Sequence, residues 1–201
     1  MRCEPGLRFI YHARLDACPK GTAVKVVLHI CCGVCAAGAA ESLAIEGHQV
    51  VGFFYNPNIH PAEEYQRRLG TACKVAQELN FPLEAGPYTP EEWFSQTSSL
   101  KDEPEGGRRC EVCYRLRLEK TYDYMVDCGA DAFTTTLTIS PHKSAQVINK
   151  MGRKIGGEKF LVRDFKKKEG FKRAVELARR WELYRQDYCG CIYSMRQRRE
   201  R

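Results

Sequence analysis

The chain is predicted to be an α/β protein. A parallel sheet flanked by helices forms a nucleotide-binding-like three-layer core, followed by a helical, cysteine-bearing second half. Three observations carry this. From Val24 onward, short apolar runs alternate with stretches of helical period. Runs of that kind suit strands whose two faces are both covered. The length of 201 residues suits one well-filled core better than two small ones. The unusual residues collect in loops that leave strands, where open parallel sheets build their sites.

Each element follows in order. Residues 1–22 contain Pro5, Gly6, Pro19 and Gly21, show no period and read as a leader. VKVVLHI (24–30) is β-branched and nearly continuous, the first strand. AAGAAESLAIEG (36–47) is a helix stopped at Gly47. QVVGFFY (49–55) is the second strand. PAEEYQRRLGTACKVAQELN (61–80) opens with Pro61 and acids in its first turn, and carries a stripe of Tyr65, Leu69, Cys73 and Ala76. FPLEAGPY (81–88) is a short third strand, and the polar stretch 89–109 reads as a mobile loop or lid. CEVCYRLRLEKTYDYMVDCGA (110–130) is mostly helix and DAFTTTLT (131–138) a fourth strand. Pro141 begins a helix to about Arg153, and EKFLVRDF (158–165) holds a fifth strand. GFKRAVELARRWELYRQ (170–186) is a helix with apolar Phe171, Val175, Ala178 and Trp181. The boundaries are therefore a leader over 1–22, a single domain over 23–194 and a basic, frayed tail over 195–201. The alternation implies right-handed crossovers.

A net charge of +7 favours an anionic partner. The longest largely apolar stretch, Ala23 to Ala40, is broken by Lys25, His29 and two glycines, so no segment is expected to cross a membrane. The N-terminus lacks the apolar core of a signal peptide. A cytoplasmic location follows, where thiols stay reduced. Eleven cysteines then point to metal binding rather than to a disulfide framework.

Seven of those cysteines fall in three groups. Cys31, Cys32 and Cys35 lie where the first strand meets its helix, Cys110 and Cys113 form a CxxC at a helix start, and Cys189 and Cys191 form a CxC after the last long helix. Helix N-termini favour thiolates, the form that soft metals and iron–sulfur clusters take. Seven exceed the four that one tetrahedral zinc or one cluster uses, so a second metal or a redox thiol pair is implied. The alternative is a four-cysteine zinc site, which the patterns CCxxC, CxxC and CxC match poorly. Cys73 and Cys128 fall on apolar helical faces as core fillers. Cys3 and Cys18 carry no assigned role. The loops HICCGVC, YNPNIHP, TLTISPHK and RDFKKKEG should converge on one edge of the sheet as one composite site.

LHICCGVC, FFYNPNIHPAEEYQRR, RRCEVCYRLRLEKT, FTTTLTISPHK, FLVRDFKKKEGFKRAVEL and LYRQDYCGCIYS follow one another over residues 25–194. Together they resemble the QueH-type epoxyqueuosine reductase family. The resemblance implies reduction of epoxyqueuosine to queuosine at the tRNA wobble position, without cobalamin. It implies a [4Fe-4S] cluster on Cys31, Cys32, Cys110 and Cys113. It implies a further iron ion or a redox pair at Cys189 and Cys191. Cys35 has no matched role; it completes the second iron site or simply starts a helix.

That chemistry is a two-electron deoxygenation, with the oxygen leaving as water or hydroxide, and it needs an external electron donor. A thiolate-bound iron can polarise the C–O bond, or Cys189 and Cys191 can serve as a dithiol that becomes a disulfide. Candidate substrate ligands are Asn56 and Asn58, whose amides suit diols unless Asn-Pro-Asn is only a turn. His142 and Lys143, beside Ser140 at a helix start, offer an anion site. Lys166, Lys167 and Lys168 suit tRNA phosphates unless they are a solvated face, and Arg67 and Arg68 are weaker candidates of the same kind. Tyr55, Tyr114 or Tyr188 can stack on a flipped base. Thr134 to Thr136 read as β-formers. Asp164 and Asp187 are candidate proton donors or metal ligands. Two other functions compete. An ATP-using enzyme should carry a Gly- and Ser-rich phosphate loop where this chain has CCGVC. A zinc-stabilised RNA-binding module without catalysis should be colourless and hold one zinc.

Overall fold

A computed structural model describes residues 24–167 and 169–199. Four strands, β1 (Lys25–His29), β2 (Gln49–Phe54), β3 (Leu83–Ala85) and β4 (Ala132–Thr135), form a parallel sheet in the order β3-β2-β1-β4. Val26 and Leu28 of β1 enter one core layer, shared with α1 (Gly33–Ile45), α2 (Ala62–Glu78) and α6 (Gly170–Arg180). Val27 enters the other, shared with α4 (Arg108–Asp127) and α5 (Ala145–Gly156). Both faces of β1 are thus buried, which is why its sequence is a continuous apolar run and not an alternation. Fully burying one such side chain contributes about 1.5–3 kcal/mol. The chain runs outward from β1 through β2 to β3, then returns to place β4 on the far side of β1. Strand order therefore reverses between β1 and β4, the place where doubly wound sheets open a crevice.

Helix α1 is rich in glycine and alanine because its neighbours come close. A Cβ on Gly38 would lie 2.8 Å from Ala174 Cβ of α6. The close approach takes a small residue, Ala174, and Leu177 and Ala178 complete the buried face of α6. Phe171, expected in that face, is exposed.

Several boundaries differ from the sequence-based expectation. The stretch 89–109 is no simple lid: α3 (Pro90–Thr97) and a 3₁₀ turn over Ser98–Leu100 occupy its first half. Pro90, Glu91 and Glu92 form the start signal, and buried Trp93 fixes the helix to the core. The fifth strand shrinks to one bridge between Phe133 and Phe160. Beyond it the Thr134 hydroxyl, not a backbone N–H, donates to the Leu161 carbonyl. The fourth strand ends at Thr135 and turns into a 3₁₀ helix over Thr136–Ile139. Helix α5 starts four residues beyond Pro141, capped by the Ser144 hydroxyl accepting from Val147 N. Helix α6 stops at Arg180, ahead of Glu182 with its φ of 49°. Residues Ile192–Arg199 form a last helix, α7, across most of the expected tail. The leader lies outside the described residues. Among the described residues no helix is long and apolar enough to cross a membrane.

Candidate metal centre and active site

The first thiol group sits at the sheet's reversal point. β1 ends at His29, and Cys32 caps α1, its Sγ accepting from Cys35 N at 3.4 Å. The sulfurs of Cys31, Cys32 and Cys35 all lie within 4.8 Å of one another. Thr136 reaches over from the end of β4: its hydroxyl accepts from Cys31 N at 3.1 Å and donates to Cys31 Sγ at 3.2 Å. Thr136 is therefore more than a β-former. The turn after Thr135 aims its side chain at the end of β1, a geometry that propensity cannot reveal. Hydrogen bonds from Cys32 and Cys35 hold the Cys31 thiol well below its ordinary range against burial, helped by Lys143 and Thr136. Cys32 is pushed up to about 12, chiefly by its bond to Cys31, and Cys35 is pushed up by both neighbours. Within the trio, Cys31 is the thiol whose ionisation its neighbours favour.

The second group is built from two helix starts. Cys110 and Cys113 lie in the first turns of α4, and Cys189 and Cys191 directly precede α7. All four line a pocket of about 20 Å³. A hydrogen bond from Cys191 brings the Cys189 thiol down to about 5, against burial and with help from Lys143; Cys191 is pushed up in return. Burial raises Cys110 and Cys113.

Arg68 of α2 fixes the CGC segment. Only 2% exposed, it donates to Glu64 Oε1 at 2.6 Å and to the carbonyls of Cys189 and Tyr188, both at 3.1 Å. Expected as a phosphate contact, Arg68 is a structural clamp, because its guanidinium is used up inside the protein. Gly190 has φ of 105°, and a Cβ there would lie 2.9 Å from Ile59 Cγ1 and 3.0 Å from Arg68 Nη1. Glycine is the residue that fits both the backbone and the space.

A larger cavity of about 920 Å³ adjoins this pocket, with Cys31, Cys35 and Cys189 in its walls. Glu105, Arg117, Lys143 and Cys189 line both spaces. Burial works to discharge Lys143, but Cys31, Cys189 and Cys35 outweigh it and raise its pKa. Arg117 is 3% exposed and donates to Cys113 O at 3.2 Å and Asn56 Oδ1 at 3.3 Å. No carboxylate pairs with it among the described residues. Sequence reasoning passed over Arg117, although it follows Cys113 by four residues and so shares its helix face. The site sets seven soft sulfur donors, of which Cys31 and Cys189 are the ones favoured as thiolates, beside two fixed cations.

The family model described as "Epoxyqueuosine reductase QueH" matches residues 26–197. The chain belongs to the QueH family of epoxyqueuosine reductases. It is accordingly an oxidoreductase. The QueH of Streptococcus pyogenes serotype M1 is 41% identical over 180 residues, covering 85% of this chain and 70% of that protein. The QueH of Thermotoga maritima is 36% identical, covering 88% and 93%. Two solved structures share the fold. They are the U34-tRNA thiolase NcsA from Methanococcus maripaludis with its [4Fe-4S] cluster and the NMN synthetase from Francisella tularensis. The first has TM-score 0.50 and 13% identity, covering 82% of this chain and 58% of that one. The second has TM-score 0.52 and 16% identity, covering 84% and 68%.

In this QueH chain the other predicted residues separate. His142 and Asp187 are exposed on the wall of the large cavity. Asn56 is wholly buried and donates to Ile30 O at 2.8 Å, so it ties two loops together and is not a free diol ligand. Asn58 is buried with its Oδ1 unpartnered at the small pocket. Lys166 turns inward, donating to the carbonyls of Thr138 and Lys143 at 3.1 Å and pairing with Asp164 at 3.5 Å. Asp164 also accepts from Lys166 N, and it is not in the cavity wall: its carboxylate shapes the turn after Leu161. Lys167 is exposed, and Lys168 lies outside the described residues. Arg67 is exposed beside Glu64. Tyr55 is buried and donates to Glu92, Tyr114 is buried at the small pocket, and Tyr188 donates to the His60 carbonyl with its ring against Arg68. The exposed aromatic on the cavity rim is Phe171. Cys73 is half-buried on α2. Cys128 is half-buried, with its thiol donating to Met125 O. Cys3 and Cys18 lie outside the described residues.

Proposed function

We propose that this QueH chain acts in the cytoplasm on tRNA bearing epoxyqueuosine, with electrons from an external donor passing through a [4Fe-4S] cluster on Cys31, Cys32, Cys110 and Cys113. A second centre stands at Cys189 and Cys191, with Cys35 completing it. One observation carries this reading: seven free thiols gather in two groups beside adjoining cavities, with Arg117 and Lys143 between them. The donor chemistry fits, since thiolates at two helix starts are ligands for iron and sulfide. A cluster takes four ligands, and a second iron ion accounts for the surplus better than a lone dithiol. When bound, these groups supply single electrons and a Lewis acid for the epoxide oxygen.

The grouping of the sulfurs favours a second sharing of ligands. Cys35 lies with Cys31 and Cys32, and Cys189 and Cys191 lie with Cys110 and Cys113. The two centres would then divide between the cavity walls, with the reaction unchanged.

The chain's own residues supply the rest. Lys143 and Arg117 offset the negative charge of the thiolates. Converting the epoxide to an alkene takes two electrons and two protons and releases water, and Asp187, which shares the wall of the large cavity with Glu105, is a carboxylate placed to hold a proton or a metal. His142, Lys143 and Lys167 present positive charge or donors to phosphate. Phe171 offers a face to a flipped base. Phe171→Ala is expected to raise KM for the tRNA by the equivalent of about 1–3 kcal/mol of stacking, with iron content unchanged. An unchanged KM would remove Phe171 from the substrate site.

The function is tested by anaerobic purification, iron and sulfide analysis, and turnover of epoxyqueuosine-containing tRNA followed by nucleoside mass spectrometry. A brown protein that yields queuosine is expected. A colourless protein with one zinc and no turnover would establish the non-catalytic RNA-binding reading instead.

A further inference from the structure

Buried polar groups without partners are expensive, and in a folded protein each calls for an explanation. Among the described residues, several of them converge on one place. Trp93 Nε1, Arg109 Nε and Arg109 Nη2 are buried and make no hydrogen bond. Trp93 and Arg109 are each 1% exposed, and both line the small pocket with Cys110, Cys113, Cys189 and Cys191. Arg109 has no carboxylate partner among the described residues. Its Nη1 is fully used, donating to the carbonyls of Leu100, Lys101 and Glu103, and its guanidinium lies 5.0 Å from the centre of the Tyr193 ring. The remaining guanidinium N–H groups are therefore held in place but unspent. The Trp93 ring is also held, packed against His60, Phe94 and Tyr193. Three fixed donors thus share a small pocket with four sulfurs.

We propose that Trp93 and Arg109 are positioning residues of the metal centre, donating N–H···S hydrogen bonds to its sulfur and setting its reduction potential. This rests on the reading of Cys110 and Cys113 as iron–sulfur ligands. Sulfur in such a centre carries negative charge that grows on reduction. Donors aimed at it stabilise the reduced form more than the oxidised form and raise the potential. Oxygen acceptors in the same places would do the reverse, which gives the unspent N–H groups a use that packing alone does not. The α3 helix that replaces part of the expected lid is what delivers Trp93. Arg109 comes from the first turn of α4, next to Cys110.

Trp93→Phe keeps the ring and removes the N–H. The reconstituted variant is expected to hold wild-type iron and sulfide and to show a more negative midpoint potential in an anaerobic spectroscopic titration. Arg109→Lys, which keeps the charge and loses the fork, is expected to shift the same way. Normal loading with an unmoved potential in both variants would overturn the inference. A second measurement needs no variant. In reduced wild-type protein carrying ¹⁵N-tryptophan, pulsed electron paramagnetic resonance is expected to show hyperfine coupling to one indole nitrogen. The other tryptophan, Trp181, caps the end of α6 and lines neither cavity. Absence of coupling would overturn the inference even if Trp93→Phe failed to fold. A wild-type protein that binds no iron would instead overturn the underlying assignment of the thiols.

Discussion

Cys110→Ala and Cys113→Ala proteins are expected to emerge from anaerobic reconstitution without a cluster and without turnover. Cys110 lies in the first turn of α4, where Gly106 N donates to its Sγ at 3.3 Å, and Cys113 follows one turn later on the wall of the same small pocket. The metal-free variants should remain folded, because replacing a small buried side chain costs on the order of 1 kcal/mol. Circular dichroism checks the fold, and iron and sulfide analysis checks the loading. Full iron and sulfide in either variant would remove that residue from the cluster. Cys35→Ala, analysed beside them, tests whether Cys35 is a ligand of the cluster or of the second centre. Loss of sulfide as well as iron would place Cys35 on the cluster with Cys31 and Cys32. Loss of iron alone would place it on the second centre.

Cys189→Ser distinguishes iron from a redox pair at the second centre. With iron there, the variant should keep its sulfide, lose iron beyond the cluster complement and lose turnover, and added thiol reductants should not restore it. With a dithiol there, iron should equal sulfide in native and variant protein alike, and native activity should follow the thiol–disulfide state. A fully active native enzyme with iron equal to sulfide would exclude the second iron ion. The variant is conservative for the fold: the contacts that hold this segment are the carbonyls of Tyr188 and Cys189, both gripped by Arg68.

The layered core was readable because its signals are local. A continuous β-branched run, a proline with acids after it and a glycine stop each have one dominant meaning, and β1, β2, α1 and α2 stand close to where those signals put them. The three cysteine groups stand out by spacing alone, and the structure gathers them into two. What local pattern could not show was which polar side chains the tertiary structure consumes. Arg68 and Lys166 look like free cations in sequence, but each spends its donors on backbone carbonyls. Asn56 looks like a ligand and is a brace between loops. The reverse error hid Thr136, Arg117 and Trp93. A threonine in a β-rich run, an arginine in a charged helix and a tryptophan in a polar stretch gain meaning only once the chain turns them toward sulfur. The lid and the fifth strand failed on length, being a few residues of each signal that packing reshaped.

The grouped thiols come from positions as far apart as Cys31 and Cys191, while the two core layers of the sheet close mainly through aliphatic and aromatic side chains. Contacts between such distant segments are entropically late, so the thiol groups are completed only once the chain has largely assembled. Small zinc modules work the other way, with the ion itself driving the chain to fold. On the proposed cluster reading the order is reversed: the core layers close through their own side chains, and iron and sulfide enter afterwards. Chelation is therefore expected to remove the metal and leave the far-ultraviolet circular dichroism of the protein unchanged.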